Sequence, residues 1–205
     1  MERLIATPSC PVFCRFCTRS YAVGGDTGTV TKASIRPTRR RWEDMFAYIE
    51  STPSLQDIVV SGGDSYNLTP EQLYFIGRRL ISIPHIRRFR FASKGLAVCP
   101  SRIVDAEDNW AETLIEISSL GRQNGKAVAL HTHFNHPNEI TWITRRAALY
   151  LFQKGVTVRN QSVLLRGVND DLATMTSLIR GLADLNIQPV SPAGEAFSLA
   201  SAYIH

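Results

Sequence analysis

The chain has 205 residues, of which 44% are hydrophobic and 20% charged, the composition of a globular protein with a buried core. It has no apolar run near the roughly 18 residues of a membrane span and no leader-like start, so we expect no membrane contact and a cytoplasmic location, unless an upstream targeting segment is missing. The net charge is +5, but the basic residues are scattered apart from one cluster at residues 36–41, which argues against nucleic-acid binding.

Strand-like and helix-like segments alternate along the chain. Short runs rich in β-branched residues predict strands, and longer stretches with apolar residues three or four apart predict helices. The predicted strands are residues 3–7, 57–61, 88–92, 127–133 and 157–164, with a sixth beginning at Ile187. The predicted helices are residues 41–50, 70–83, 110–123, 143–153 and 172–185.

Capping residues support several of these boundaries. Thr69 before Pro70 is an N-cap followed by proline at the first helical position. Gly125 and Gly155 stand where the third and fourth helices would need left-handed C-caps. These residues indicate that helices begin and end where the apolar period does.

The alternation predicts the fold class and the domain organisation. Repeated strand–helix units imply right-handed crossovers and one parallel sheet. We therefore expect an α/β fold, a partial (β/α) barrel of five to six parallel strands with outer helices. After residue 189 the chain is Ser/Ala-rich and loses strand alternation, so we divide it into a core domain, residues 1–189, and an atypical C-terminal tail, residues 190–205.

Polar motifs follow four of the predicted strands. Three cysteines at residues 10–17 follow the first strand, and a Ser-Gly-Gly-Asp motif at residues 61–64 ends the second. A His-Thr-His motif at residues 131–133 ends the fourth strand, and an Asn-Gln pair at residues 160–161 lies on the fifth. Because the carboxyl ends of barrel strands meet at one rim, these motifs predict a single functional site there.

The cysteine cluster indicates a metal centre. Three of the four cysteines, Cys10, Cys14 and Cys17, lie within eight residues, and such crowding without a secretion signal favours metal over disulfides. One loop can bring three thiolates to three irons of a cubane cluster, leaving the fourth iron open. A structural zinc site using the same cysteines and a histidine is the alternative. We expect Cys99, after the third strand, to be a small buried apolar residue.

The cysteine spacing, with Phe16 before the last cysteine, resembles the signature of the radical S-adenosylmethionine (SAM) superfamily. Together with the motifs at residues 61–64, 131–140 and 160–170, it is similar to the lysine 2,3-aminomutases over about residues 3–189. That family uses a [4Fe-4S] cluster, SAM and pyridoxal phosphate to move the α-amino group of L-lysine to the β-carbon. The resemblance therefore implies a radical SAM core domain and an isomerase.

The resemblance also implies roles for individual residues. The implied cluster ligands are Cys10, Cys14 and Cys17. The residues implied to bind SAM are Phe16 near the adenine, Gly62 and Gly63 near the methionine moiety, Asp64, His133 and Gln161. Arg19 matches the arginine that clamps the carboxylate of the amino-acid substrate, a bidentate role suited to guanidinium. No residue is assigned as a catalytic acid or base.

Each role has a simpler alternative. The glycine pair can serve only as a strand-end turn, and Arg19 can be a surface charge. His131, His133 and His136 can form a divalent metal site, because the first two share a strand face. Asn135 and His136 can serve only to shape their loop.

The sequence also departs from the family. The lysine that forms the Schiff base with pyridoxal phosphate lies, in the family, in a glycine-rich loop beyond the segment matched by residues 160–170, and this chain has no such loop. Lys94 follows the third strand, where bacterial members have an arginine, and is not that lysine. We hypothesise a truncated gene product or an erroneous gene model. A missing strand leaves an exposed edge and low stability unless a partner, such as a second copy, covers it.

These observations leave three hypotheses for function. The leading one is a radical SAM enzyme of the lysine 2,3-aminomutase type that moves an amino group on L-lysine, a small-molecule amino-acid substrate. The second is a radical SAM enzyme with a different substrate. The third is a catalytically incomplete cluster-binding fragment that lacks the pyridoxal phosphate site.

Overall fold

The computed structural model describes residues 2–32 and 38–190, which fold around one sheet of six parallel strands. The strands are β1 (Glu2–Thr7), β2 (Asp57–Gly62), β3 (Arg88–Ala92), β4 (Ala127–Thr132), β5 (Thr157–Asn160) and β6 (Ile187–Pro189). The helices are α1 (Arg39–Glu50), α2 (Pro70–Ser82), α3 (Gly95–Val98), α4 (Ser101–Val104), α5 (Trp110–Gln123), α6 (Trp142–Gln153) and α7 (Leu172–Asp184). The tail from residue 191 onward and part of the basic cluster lie outside the described residues.

The strands pair in chain order, from β1 to β6, and every pair is parallel. Among the described residues β1 and β6 pair on one side only, so the sheet is open rather than closed. The predicted α/β fold with a partial barrel is confirmed. Parallel pairing brings the carboxyl ends of all six strands to one rim, as the motif positions predicted.

The two faces of the sheet differ in chemistry. One face carries a row of buried apolar side chains that pack with helix residues in a single core: Ile58, Val60, Phe89, Phe91, Leu130 and Val158. Burying each large apolar side chain contributes roughly 1.5–3 kcal/mol to folding. The concave face instead carries small and charged residues, which are less buried.

Helix ends follow the capping signals in the sequence. Thr69 and Gln72 form a reciprocal capping box at the start of α2, with Pro70 at its first position. Gly125 and Gly155 have φ values of +66° and +75°, the left-handed conformation expected after α5 and α6. On α2, a Cβ at Gly77 would overlap Ile117, so this glycine lets α2 and α5 pack closely.

Three predicted strand ends were wrong, and two helices were not predicted. β2 ends at Gly62 rather than residue 61, and β1 begins at Glu2 rather than residue 3. β4 ends at Thr132 rather than residue 133, and β5 ends at Asn160 rather than residue 164. Beyond Asn160 the chain leaves the sheet because the Asn160 side chain binds the backbone of the loop after β4. The helices α3 and α4 have four residues each, too few to show an apolar period.

Candidate functional site

The cysteine loop follows β1 and folds back on its own start. The Cys17 amide donates to the Cys14 carbonyl oxygen at 3.1 Å, and the Gly24 amide donates to the Pro8 carbonyl oxygen at 3.2 Å. Ala22 is buried and anchors the far end of the loop. The cysteines Cys10, Cys14 and Cys17 are unbridged and half-buried.

Burial and nearby acidic groups make the thiols of Cys10 and Cys14 poor acids. Desolvation raises the pKa of Cys10 to about 12, assisted by the carboxylate of Asp64 and the other two thiols. Desolvation likewise raises the pKa of Cys14. A cation bound between the thiols would reverse both effects, so the donor set suits a metal centre in its chemistry. Across the described parts of the chain, however, no three His, Cys, Asp or Glu side chains are grouped closely enough to hold a metal ion.

The glycine pair makes room for the cysteine loop itself. Gly62 has a φ of +127°, and a Cβ there would overlap the Thr7 carbonyl oxygen. A Cβ at Gly63 would overlap the backbone of Ser9, and the Gly63 amide donates to the Thr7 carbonyl oxygen. The side-chain positions of both glycines are thus taken by the backbone that leads into the cysteine loop, as a strand-end turn requires. Their contact with SAM stays a prediction.

Asp64 joins two neighbouring rim loops. Its carboxylate oxygens accept from the Tyr66 amide at 2.8 Å and from the Lys94 amide at 2.7 Å, linking the loops after β2 and β3. Burial raises the pKa of this carboxyl, and the two backbone donors partly offset that shift. The structure therefore gives Asp64 a structural task, and its predicted contact with SAM is untested.

Arg19 reaches from the cysteine loop to the end of β2. Its Nη2 donates to Ser61 Oγ at 2.7 Å, while its Nε is buried without a hydrogen-bond partner in the described residues. The side chain is half-buried, so it is not a freely solvated surface charge. One fixed nitrogen and one unsatisfied nitrogen suit a guanidinium that awaits an anionic group.

Phe16 and His133 meet across the rim, with ring centroids 5.1 Å apart and ring planes 38° apart. Desolvation and the Lys94 ammonium lower the pKa of His133 to about 4, so its imidazole is neutral near pH 7. The His133 Nε2 lies 3.3 Å from Asn135 Nδ2. Two residues predicted for the SAM site are therefore in contact, although one follows β1 and the other β4.

Gln161, the remaining predicted SAM ligand, begins the segment after β5. Its amide donates to the Thr132 carbonyl oxygen at 3.0 Å, which continues the β4–β5 ladder by one residue. Its side chain is exposed at the rim. The structure thus places it beside the end of β4.

Three buried asparagines join the loops after β4 and β5, and a loop-shaping role was predicted only for Asn135, as an alternative. Asn160 accepts from the Phe134 amide at 2.6 Å and donates to the Phe134 carbonyl oxygen at 3.1 Å. Asn169 donates to the Asn135 carbonyl oxygen at 2.7 Å, and Asn135 accepts from the Val163 amide at 2.9 Å. The sequence carried a signal for this role, since asparagines recur in the motifs at residues 131–140 and 160–170. An asparagine amide can pair with a backbone donor and a backbone acceptor at once.

Lys94 and Glu139 form an ion pair beside His133. Lys94 Nζ lies 2.6 Å from Glu139 Oε1 and donates to the His133 carbonyl oxygen at 2.7 Å. Glu139 also accepts from the Asn135 and His136 amides through its other oxygen. This pair holds the loop after β3 against the loop after β4, and sequence reasoning missed it.

The alternative metal site of three histidines is not formed in the described residues. The His136 Nδ1 accepts from the Asn138 amide at 3.2 Å, and the His131 Nε2 is buried without a hydrogen-bond partner in the described residues. These histidines and the cysteines belong to no group able to bind a metal within residues 2–32 and 38–190.

The prediction that Cys99 is buried was wrong, because its side chain is exposed. It lies on the outer side of the connection between α3 and α4, where Leu96 and Ile103 take the buried positions. Its thiol lies 3.5 Å from Ser101 Oγ.

Comparison with known proteins gives several similar enzymes. No protein-family model matches the chain. The L-lysine 2,3-aminomutase of Acetoanaerobium sticklandii is 36% identical over 186 residues, which is 91% of this chain and 41% of that protein. The L-lysine 2,3-aminomutase of Escherichia coli is 32% identical over 91% of this chain and 49% of that protein.

A relative with a different named substrate is equally similar. The glutamate 2,3-aminomutase of Clostridioides difficile is 32% identical over 92% of this chain and 41% of that protein. The chain spans 36–49% of the length of eight curated relatives that it matches. No helix among the described residues is both long and apolar enough to cross a membrane.

Proposed function

Because the chain belongs to the lysine 2,3-aminomutase family by similarity along nine-tenths of its length, we propose that it is a radical SAM protein. In this proposal its core holds a [4Fe-4S] cluster and SAM at the carboxyl rim of the sheet. The overall reaction is the isomerase chemistry of the family, in which an amino group moves between neighbouring carbons of an amino acid. Because the chain spans less than half the length of its relatives, that complete reaction is itself part of the proposal.

The observation that carries the proposal is a pair of contacts that draw the cysteine loop onto the sheet. Phe16 meets His133 at the end of β4, and Arg19 binds Ser61 at the end of β2. The cysteine loop is therefore held over the carboxyl ends of the strands. A cofactor on this loop would face the concave side of the sheet, where a substrate has room.

Each rim residue has a distinct task in this proposal. When bound, the cluster and SAM supply a 5′-deoxyadenosyl radical that removes a hydrogen atom from the substrate. The thiolates of Cys10, Cys14 and Cys17 hold the cluster, and three protein ligands leave one iron open for SAM. Arg19, whose guanidinium is oriented by Ser61, binds the substrate carboxylate.

The electrostatics of His133 suit a place beside SAM, which carries a positive sulfonium. An imidazole whose pKa lies near 4 has no charge at neutral pH and does not repel that cation. Its neighbour Phe16 offers an aromatic face to the adenine. Both residues thus favour binding of SAM without adding charge.

The lysines of this chain do not fit the role of a Schiff-base partner for pyridoxal phosphate. Of its four lysines, two lie in connections at the carboxyl ends of strands. The Lys94 ammonium is held by Glu139 and the His133 carbonyl oxygen, and Lys32 donates to the Ser20 carbonyl oxygen. We therefore derive no step through pyridoxal phosphate from the described residues. The radical SAM half of the chemistry is the part that this chain's own side chains support.

The test is anaerobic reconstitution with iron and sulfide, followed by reduction in the presence of SAM and an assay for 5′-deoxyadenosine. We expect iron–sulfur absorption and product from the native chain and neither from Cys14→Ala. The matched control is Cys99→Ala, which removes an exposed thiol outside the cysteine loop and should leave both signals intact. Soluble, folded protein that forms a cluster but no product would support the cluster-binding alternative instead.

A second candidate substrate rests on the similarity to glutamate 2,3-aminomutase. Supplying deuterated lysine and deuterated glutamate separately distinguishes the two substrates. The substrate that transfers deuterium into 5′-deoxyadenosine is the one whose hydrogen the radical removes. Transfer from neither, with product still formed, would favour a radical SAM enzyme with a different substrate.

A further inference from the structure

A second polar site lies on the concave face, below the rim. Asp57 pairs with Arg88 across β2 and β3, and Arg88, Arg90 and Ala92 share one face of β3 because successive side chains alternate. Ala92 pairs with His131 on β4, and His131 pairs with Arg159 on β5. Parallel partners face the same side, so these charged residues all project from the concave face.

Arginines from two strands and one helix line a small cavity at the amino ends of β2 to β5. Its volume is about 160 Å³, and its charged lining residues are Asp57, Arg88, Arg90, Arg122 and Arg159. The remaining lining residues are neutral, which gives the lining a net charge of +3. A cavity of this size suits one phosphate or carboxylate group rather than a nucleic-acid strand.

The single carboxylate in the cavity is already shared. Asp57 accepts from Arg88 Nε at 3.1 Å and from Arg90 Nη2 at 3.2 Å. Arg122 is positioned at the mouth by a hydrogen bond of 2.6 Å to the Gly155 carbonyl oxygen. One carboxylate is therefore shared by two of the arginines, and the cavity keeps its net charge of +3.

Arg159 and His131 are the least satisfied groups beside this cavity. Arg159 uses its Nε to donate to Gln188 Oε1 at 3.3 Å, and within the described residues its two terminal nitrogens donate no hydrogen bond. His131 stands next to Arg159 in the ladder, and its Nε2 is buried without a partner in those residues. Leaving the buried His131 nitrogen unpaired is costly, and the Arg159 terminal nitrogens are available to donate to an anion.

We propose that this arginine-lined cavity binds the anionic group, a phosphate or a carboxylate, of a small molecule lying along the concave face. The site is separate from the cysteine loop, because Asp57 and Arg88 stand four residues before Ser61 and Ala92 on their strands, a distance of about 13 Å. It needs neither the cluster nor SAM. Absence of anion binding would thus leave the radical SAM proposal intact, and absence of radical SAM activity would leave the anion site intact.

The test is titration of the 205-residue chain with inorganic phosphate at low ionic strength, followed by calorimetry and by the NMR signal of the His131 ring. We expect saturable binding at one site and a shift of that signal. Arg159→Gln should weaken binding about tenfold by removing charge-assisted hydrogen bonds. Arg88→Gln should also weaken phosphate binding. Because Arg88 is more exposed, this second variant tests the cavity even if Arg159→Gln fails to fold.

Two further variants make the expected result specific. Arg145→Gln removes an exposed arginine on α6 and should leave the affinity within about twofold. Asp57→Asn removes the only carboxylate of the cavity and should strengthen phosphate binding. The proposal is overturned by absence of saturable heat, by equal weakening in Arg145→Gln, or by weaker binding in Asp57→Asn.

The two sources of such an anion are separated by matched pairs of ligands. Pyridoxal phosphate that binds more tightly than pyridoxal, with the difference lost in Arg159→Gln, identifies a phosphate ester. Glutamate that binds more tightly than glutamine, with the same dependence, identifies a side-chain carboxylate. If neither anion binds better than its neutral counterpart, the cavity does not serve a small anionic molecule.

Discussion

Asn160 and Phe134 are joined by two hydrogen bonds that run in opposite directions between one side chain and one backbone unit. The Asn160 Oδ1 accepts from the Phe134 amide at 2.6 Å, and its Nδ2 donates to the Phe134 carbonyl oxygen at 3.1 Å. The Asn160 side chain is 1% exposed, so water cannot replace either bond. The loop after β4 is therefore supported by a residue of β5.

Asn160→Ala should lower the free energy of unfolding by about 2–4 kcal/mol, because it leaves a buried amide and a buried carbonyl without partners. Urea denaturation measures the change. Asn67→Ala is the matched control, since Asn67 is exposed and should change stability by less than about 0.5 kcal/mol. Equal effects of the two substitutions would contradict this account of the loop.

Gly63→Ala should disturb the cysteine loop more than the sheet. Its added Cβ would overlap the Ser9 backbone, so the loop must move away from β2. We expect reduced iron incorporation on reconstitution together with a loss of stability of about 1–3 kcal/mol. Gly25→Ala, where an added Cβ meets no atom within 4 Å, should behave as the native chain does. Unchanged iron content in Gly63→Ala would show that the close approach is not needed.

The stability of the chain should fall as the pH drops from about 6.5 to about 4. The pKa values of His131 and His133 are lowered to about 4, so the unfolded chain takes up protons at a higher pH than the folded chain. The stabilising effect is fully present above pH 6.5 and is lost as the pH falls toward 4. Each shift corresponds to at most about 3 kcal/mol of stability. Solvent screening lowers this contribution, because both rings are partly exposed.

Urea denaturation across that pH range measures the effect. His133→Gln should flatten the dependence by removing one of the two shifted groups. Parallel curves for the native and substituted chains would mean that His133 titrates normally in the folded state.

The ion pair between Lys94 and Glu139 should show strong coupling. The two side chains are 13% and 26% exposed, and each also binds backbone groups of the loop after β4. A double-mutant cycle of Lys94→Met and Glu139→Gln should give a coupling energy of about 1–3 kcal/mol in unfolding experiments. An exposed pair such as Arg39 with Glu43 is the control and should give less than about 0.5 kcal/mol.

The sequence predicted the order of the strands and of the five longer helices, but it did not predict where β5 ends. An apolar run continues from Val163 to Leu165, which suggested a strand to residue 164. Tertiary contacts override that pattern, because Asn160 binds Phe134 and Asn169 binds the Val163 carbonyl oxygen. Single-segment periodicity contains no information about such partners.

The position of the site was predictable in outline. Motifs at the ends of parallel strands had to meet at one rim, and the contact between Phe16 and His133 follows from that arrangement. The pairing of Lys94 with Glu139 was not predictable, because the two residues are 45 positions apart and meet through the shapes of two loops. The tight fit of Gly62 and Gly63 against the cysteine loop depends in the same way on geometry that residue spacing does not encode.

The register of the parallel ladders has a consequence for how this fold tolerates insertions and deletions. His131 faces the concave side because it is level with Ala92 and Arg159, and one residue inserted into β4 before it would turn it toward the helices. A residue added beside Gly125, between α5 and β4, leaves every ladder unchanged. Length variation should therefore be confined to the turns at the amino ends of the strands, while each strand keeps a fixed count of residues up to its motif.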